Sequence, residues 1–336
     1  MRVGCLYFGL TVLVGWAALA AYFSGPGPIW LRALLAAGFV GFSLWAFAVT
    51  LRRRSSQIRR AFWIWALALF GVAGWFVSIR PSHDRDWRGD VAVMPRVIVD
   101  GDRVGFSGYR DFEYRTRDDF TPRYRDREVQ LSHLTSVDLF VSYWNKRAMA
   151  HTFLSFGFDN APPVCISIEA RREKGERFAA VASLFKQFEL IYVVGDERDI
   201  VRVRTNYRGE EVYMYPIRVS AEAARRLFLV YVDQINKLAD VPEFYDLLSN
   251  SCTANIVRNS EVAGRKAGFD IRFVLNGLVD QYLYDKGLVD RTLPFEELRK
   301  NSRITDAAKA ADQENFSALI RAAPTKSNPR SASISF

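Results

Sequence analysis

Acidic residues are missing from the first 80 positions of this 336-residue chain, which carry eight arginines and supply all but one unit of the net charge of +9. The remaining 256 residues are close to neutral, so the basic balance is no sign of a nucleic-acid-binding face. Histidine is scarce at three residues, and His83 and His133 have no histidine or cysteine four positions on, which excludes the usual zinc spacings. Cysteine is equally scarce at three residues, and none has a CxxC partner. Walker, dinucleotide-binding and GxSxG patterns are also missing. Neither a metal nor a cofactor is expected.

What the N-terminal segment does have is apolar length. Residues 6–23, 29–51 and 61–79 each suffice to cross a hydrocarbon core of about 30 Å. Arg32 lies near enough to the start of the second run to snorkel. A short uncharged turn, Ser24 to Pro28, joins the first two runs, whereas residues 52–60 form a loop with five arginines. The positive-inside rule keeps that loop in the cytoplasm. Everything after Arg80 is then outside, which predicts a multi-pass inner-membrane protein with a periplasmic domain. A cleaved signal peptide competes for the first run, where small residues at 17–21 offer a cleavage site, but cleavage leaves the same exterior domain. Cys5 lies too early for a lipoprotein signal.

The expected organisation is an anchor over 1–80, a single domain over 81–323 and a flexible tail over 324–336. Alternation predicts strands at 91–99, 104–106, 137–143, 151–158, 164–169, 190–194 and 201–204, with Pro95 pointing to a sheet edge. Helices follow. Ser220 is an N-cap ahead of Leu227, Val230, Tyr231, Ile235 and Leu238 at helical spacing, a second helix starts near Cys252, and others cover 270–284 and 304–322. Strands first and helices later predict an α+β domain.

Two residues suggest covalent chemistry: Cys252, in the run from Leu248 to Asn255, and His151, at the head of a strand far upstream. The competing reading is a buried small hydrophobe or half of a disulfide. In the hairpin 151–171, His151, Phe153, Ser155 and Gly157 share one face with Cys165, Ser167 and Glu169 across the loop. Pairing apolar with apolar sets Glu169 opposite or diagonal to His151, able to orient the imidazole, and Ser167 nearer Ser155. Alternatively Glu169 pairs with Arg171 or Arg172 at a solvated edge. The stretch 109–127 alternates aromatics with arginines; it reads as an edge strand with interleaved ion pairs or as a lipid-phosphate surface.

Several ordered segments carry a resemblance: HTFLSFGF at 151–158, ISIEARRE at 166–173, LFKQFELIY at 184–192, ERD at 197–199, RT at 204–205 and NSCT at 250–253. LPFEEL at 293–298 and FSALIR at 316–321 continue it. Over about residues 83 to 323 the chain resembles the Lnb N-terminal periplasmic domain family. That resemblance implies a circularly permuted papain-like fold of the NlpC superfamily, akin to lecithin retinol acyltransferase, with the histidine ahead of the cysteine. It also implies Cys252 as nucleophile, His151 as general base and then acid, and Glu169 or a neighbour as orienting group. Asn250, Thr253, Ser167 and Arg171 are the accompanying candidates for contact with the substrate or the oxyanion.

The implied protein is a periplasmic cysteine acyltransferase or acyl hydrolase acting through a Cys252 thioester, with membrane lipids or lipoproteins as partners. Physical chemistry is compatible with that assignment, since a cysteine in the first turn of a helix and beside an imidazolium has a lowered pKa. Backbone N–H groups of Cys252 and Thr253 are available in such a turn for an oxyanion. A peptidase or amidase acting on peptidoglycan, and a non-catalytic envelope protein, stay open as alternatives. So does a Cys165 to Cys252 disulfide, because the exterior is oxidising.

Overall fold

A computed structural model describes residues 2–51, 55–144 and 149–322. The expected tail at 324–336 lies outside the described residues. The chain divides into two compact units, Met1–Asp84 with Arg177–Glu189, and Arg85–Glu176 with Leu190–Phe336.

The first unit contains α1 (Arg2–Ser24), α2 (Ile29–Leu51) and α3 (Ser55–Ser78). Among the described residues two stretches are long and apolar enough to cross a membrane, Ile29–Val49 and Ile58–Ser78; the apolar part of α1, Phe8–Ser24, is shorter. Three spans were expected, and two meet this test. The arginine loop is also shorter than the sequence implies: positions 55–60 already belong to α3, as the good helix propensity of Gln57, Arg59 and Arg60 allows, and 52–54 lie outside the described residues. Between α1 and α2, Gly27 takes a left-handed φ of 80°, and Arg32 turns its Nε back to the Gly27 carbonyl at 2.8 Å. Trp65 of α3 packs with Ala46 and Ala66, its indole N–H donating to Ser43 Oγ at 3.0 Å while Ser43 Oγ donates to the Phe39 carbonyl. Each of these buried polar groups therefore has a partner.

Residues 177–189, which the sequence places inside the exterior domain, belong to this first unit. A 3-10 turn at Ala182–Phe185 lays the Phe185 ring on Phe23, centroids 5.8 Å apart, with its edge towards Phe76. Lys186 follows with a left-handed φ of 53° and reaches the carbonyls of Phe76 (2.9 Å), Val77 and Ile79. An ammonium there satisfies acceptors that the end of a helix leaves open.

The second unit mixes helix and sheet. Its strands are β1 (Arg96–Asp100), β2 (Arg103–Arg110), β3 (Glu113–Tyr114), β4 (Phe120–Thr121), β5 (Tyr124–Gln130), β6 (Leu134–Tyr143), β7 (His151–Phe158), β8 (Val164–Arg171), β9 (Glu189–Gly195) and β10 (Glu211–Pro216). The main sheet runs β1-β2-β9-β8-β7-β6-β10, with β5 on β2; β3 and β4 form a separate hairpin. β1 with β2, β2 with β5, β7 with β8, and β6 with both β7 and β10 pair antiparallel, whereas β2 meets β9 parallel at Arg110 and Gly195. A side chain at Gly195 would stand 2.7 Å from the Arg110 carbonyl, so only glycine lets the strands close there.

Helices α4 (Glu197–Ile200), α5 (Ala221–Asp240), α6 (Cys252–Val262), α7 (Val279–Asp285), α8 (Phe295–Asn301), α9 (Thr305–Ala310) and α10 (Phe316–Ala322) complete the unit. Ser220 caps α5, its Oγ accepting from Ala223 N–H, as the sequence implies. On one sheet face Phe228 and Tyr231 of α5 pack against Phe156. On the other, Phe140, Phe153 and Cys165 form a core with Ile304, Ala308, Phe316 and Ile320.

Several elements differ from expectation. The segment 201–204 is helical, α4 leading into a π-helical turn at Val203–Tyr207. A strand at 91–99 shrinks to β1, since Gly89–Val91 forms a 3-10 turn. Helix 270–284 consists of two 3-10 turns and α7, and 304–322 is interrupted between α9 and α10.

Candidate active site

The start of β7 and the start of α6 meet at Cys252. Ser251 caps α6 by accepting from Ala254 N–H at 3.3 Å, which leaves Cys252 as the first residue of the helix. Thr152 of β7 and Thr253 of α6 share a hydroxyl hydrogen bond of 2.9 Å that ties the two elements together. Burial pushes the Cys252 thiol up, but the His151 imidazole and hydrogen bonds from His151 and Thr152 prevail and bring it to about 6. Cys252 is therefore a buried sulfur that favours the thiolate at neutral pH.

His151 is held in turn. The observed register sets Phe153 opposite Ser167. Ser167 Oγ lies 2.7 Å from His151 Nε2 and donates to Glu169 Oε1 at 2.9 Å, while Glu169 Oε1 is 3.7 Å from Nε2. Glu169 lies by the ring as the sequence implies, but Ser167 is not near Ser155: Ser155 faces Cys165, and Ser167 stands between histidine and carboxylate. Glu169 is not at a solvated edge and takes an ion-pair partner from outside the hairpin. Its partner is Arg204, 2 % exposed, whose Nη2 donates at 2.6 Å and whose guanidinium lies over the Phe153 ring. Burial raises the Glu169 pKa, and the opposing charges of Arg204 and His151 hold it well below the usual carboxylate range. A series Cys252, His151, Ser167, Glu169, Arg204 results, with Nδ1 as the ring nitrogen that Ser167 leaves free.

The other candidates have different roles. Asn250 organises the loop before α6: its Nδ2 donates to Glu243 and the Phe244 carbonyl, and its Oδ1 accepts from Asn255 and Arg258. Thr253 commits its hydroxyl to Thr152. Arg171 donates to the Val91 and Ala92 carbonyls, with its guanidinium over the Trp87 ring. Cys165 and Cys252 are both free thiols, so the alternative disulfide does not form. Asp196 accepts from Tyr109, Arg125 and Arg127, and Asp199 binds Arg110 through two bonds of 2.7 and 3.0 Å. The arginine-aromatic stretch is thus laced by ion pairs, and a lipid phosphate would have to displace these carboxylates. Among the described residues no group of three or more His, Cys, Asp or Glu is placed to hold a metal.

Two groups at the sulfur were not evident from the sequence. Asn276 Nδ2 donates towards Cys252 Sγ at 3.7 Å while its Oδ1 accepts from Ala150 N–H. Buried Tyr245 is hydrogen-bonded to Cys252, and burial followed by the Cys252 charge drives its phenol well above its ordinary pKa. It remains an O–H donor beside the nucleophile.

Residues 120–277 match the family model of the Lnb N-terminal periplasmic domain, a narrower span than the resemblance covers but one that includes His151, Ser167, Glu169, Arg204, Tyr245, Cys252 and Asn276. No curated protein and no solved structure matches the chain.

Proposed function

From a chain that carries the Lnb N-terminal periplasmic domain at 120–277, we propose a membrane-anchored cysteine acyltransferase or acyl hydrolase that takes acyl groups from phospholipid or lipoprotein esters. The carrying observation is the depressed thiol of Cys252 at the head of α6 with His151 beside it. In this reading the domain is a circularly permuted papain-like fold, which the chain order of His151 before Cys252 favours.

The thiolate attacks the ester carbonyl, and negative charge moves to its oxygen, where the Asn276 amide and the Tyr245 hydroxyl are the nearby donors. Collapse breaks the C–O bond, and the imidazolium of His151 protonates the departing alkoxide. An amine, a hydroxyl or water then attacks the thioester as His151 removes its proton, and the Cys252 thiolate leaves. Ser167 and Glu169 keep the ring oriented and stabilise its cationic form.

The purified full-length protein incubated with labelled phospholipid or triacylated lipopeptide forms a hydroxylamine-sensitive adduct that Cys252→Ala abolishes. If no envelope lipid gives an adduct while muropeptides are cleaved in a Cys252-dependent manner, the peptidase reading replaces this one.

For the anchor we propose three spans. α1 has 23 residues, a rise of about 34 Å, and sequence positions 6 and 7 extend its apolar stretch. The arginines between α2 and α3 set the exit of α3 on the periplasmic side whether α1 spans or not. A green fluorescent protein fused after Arg80 and exported unfolded stays dark. A bright fusion would reverse the orientation.

A further inference from the structure

An apolar cavity lies directly behind the nucleophile, on the sheet face opposite the Phe153 core. Leu139 and Leu154 come from the sheet, Leu227 from α5, Ile256 and Val257 from α6, and Leu283 from α7. Counting the part open to solvent, its empty space is about 670 Å³. Thr152 and Thr253 belong to its wall and also to the site: Thr152 hydrogen-bonds the Cys252 sulfur, and Thr253 follows it in the chain. The cavity wall therefore comes to within 3.9 Å of the sulfur, at the Thr253 hydroxyl.

We propose that this cavity holds the acyl chain of the Cys252 thioester and sets the chain length the protein accepts. The proposal rests on the acyl-transfer reading of the site and names the substrate side of it. The lining decides the occupant. Apart from the two threonines, Ser260, Arg265 and Tyr282 are its polar members, and Arg265 already donates to the Tyr282 hydroxyl at 3.0 Å. A peptide or glycan would bury amides, carboxylates and hydroxyls there with few partners, at a loss of roughly five- to 150-fold in binding for each unmatched group. An alkyl chain asks for no partner, and each methylene that enters gains up to about fourfold in binding, the equivalent of about 0.8 kcal/mol.

Ile256 is half-buried on the cavity wall, so changing its size alters the space with modest disturbance of the core. The full-length protein in nanodiscs is assayed with thioester and oxygen-ester donors of two to sixteen carbons, and the ratio of the sixteen-carbon to the four-carbon rate is read for each variant. Ile256→Trp should lower that ratio at least tenfold, the loss of about two methylene contacts, and Ile256→Ala should keep or raise it. Equal ratios in all three proteins would overturn the proposal even with thioester formed. A second measurement is independent of turnover: a diazirine-bearing fatty acid, irradiated with Cys252→Ala protein, should label cavity residues in α6 and α7, in competition with palmitate. Labels confined to α1, α2 and α3 would also overturn it. Cavity labelling without a thioester from any ester would leave the chain-binding site standing and remove the acyl-transfer reading. Presenting the same acyl group on phospholipid or on lipopeptide distinguishes the two donor sources.

Discussion

Alkylation of Cys252 by iodoacetamide follows a pH curve centred near pH 6, and His151→Ala moves that curve above pH 8. The wild-type thiol titrates at about 6 because the imidazole and the bonds from His151 and Thr152 outweigh burial. Without the imidazole, burial acts with little opposition and the group returns at least to the free-cysteine value of about 8.5. At pH 7 the thiolate fraction then falls about thirtyfold, and the labelling rate with it. Ser167→Ala should leave most of this reactivity, since the Cys252 to His151 contact survives. Acyl transfer should still slow about ten- to a hundredfold through loss of a hydrogen bond to a charged ring. Indistinguishable pH curves for wild type and His151→Ala would separate the thiol from the histidine and dissolve the proposed pair.

Arg204→Met costs the periplasmic unit about 3 kcal/mol at pH 7. Arg204 is nearly inaccessible and binds Glu169 at 2.6 Å, so its removal strands a carboxylate in a mostly buried place. A unit of this size should melt about 6–12 °C lower, measured on the solubilised full-length chain. Because Glu169 is held below its ordinary pKa, its contribution is complete above the unfolded value and is lost as pH falls towards the folded one. The gap between wild type and variant should therefore narrow below about pH 4.5, the carboxylate range. A gap that stays constant from pH 7 to pH 4 would mean that lost packing over Phe153, not charge, accounts for the effect.

The facing of the hairpin was legible, because apolar matching along 151–158 and 164–171 places His151 and Glu169 on one face, but the exact pairing was not: Ser167 stands opposite Phe153. The cap at Ser220 and the helix at Cys252 were legible for equally local reasons. Residues 201–204 misled, since two valines alternating with two arginines imitate a half-exposed strand. In the fold Arg204 is buried because Glu169, 35 residues away, neutralises it, a partner no local pattern reveals. β5 was hidden for the opposite reason: four of its seven residues are charged, as an edge strand tolerates. Tyr245, ahead of α6, and Asn276, in a 3-10 turn after it, approach the sulfur, and neither has a spacing that marks it.

The excursion of residues 177–189 makes the anchor part of the exterior domain's chain, and the domain part of the anchor's packing. A single proteolytic cut between Asp84 and Arg85 breaks the peptide link yet leaves Phe185 against Phe23 and Phe76, and Lys186 on three carbonyls at the end of α3. The two fragments should therefore copurify in detergent. A protein that starts at Arg85 keeps the excursion but loses everything it covers, so an aromatic ring and an ammonium made for a helix end are left bare. Its stickiness in water would be a property of the missing helices rather than of a misfolded domain.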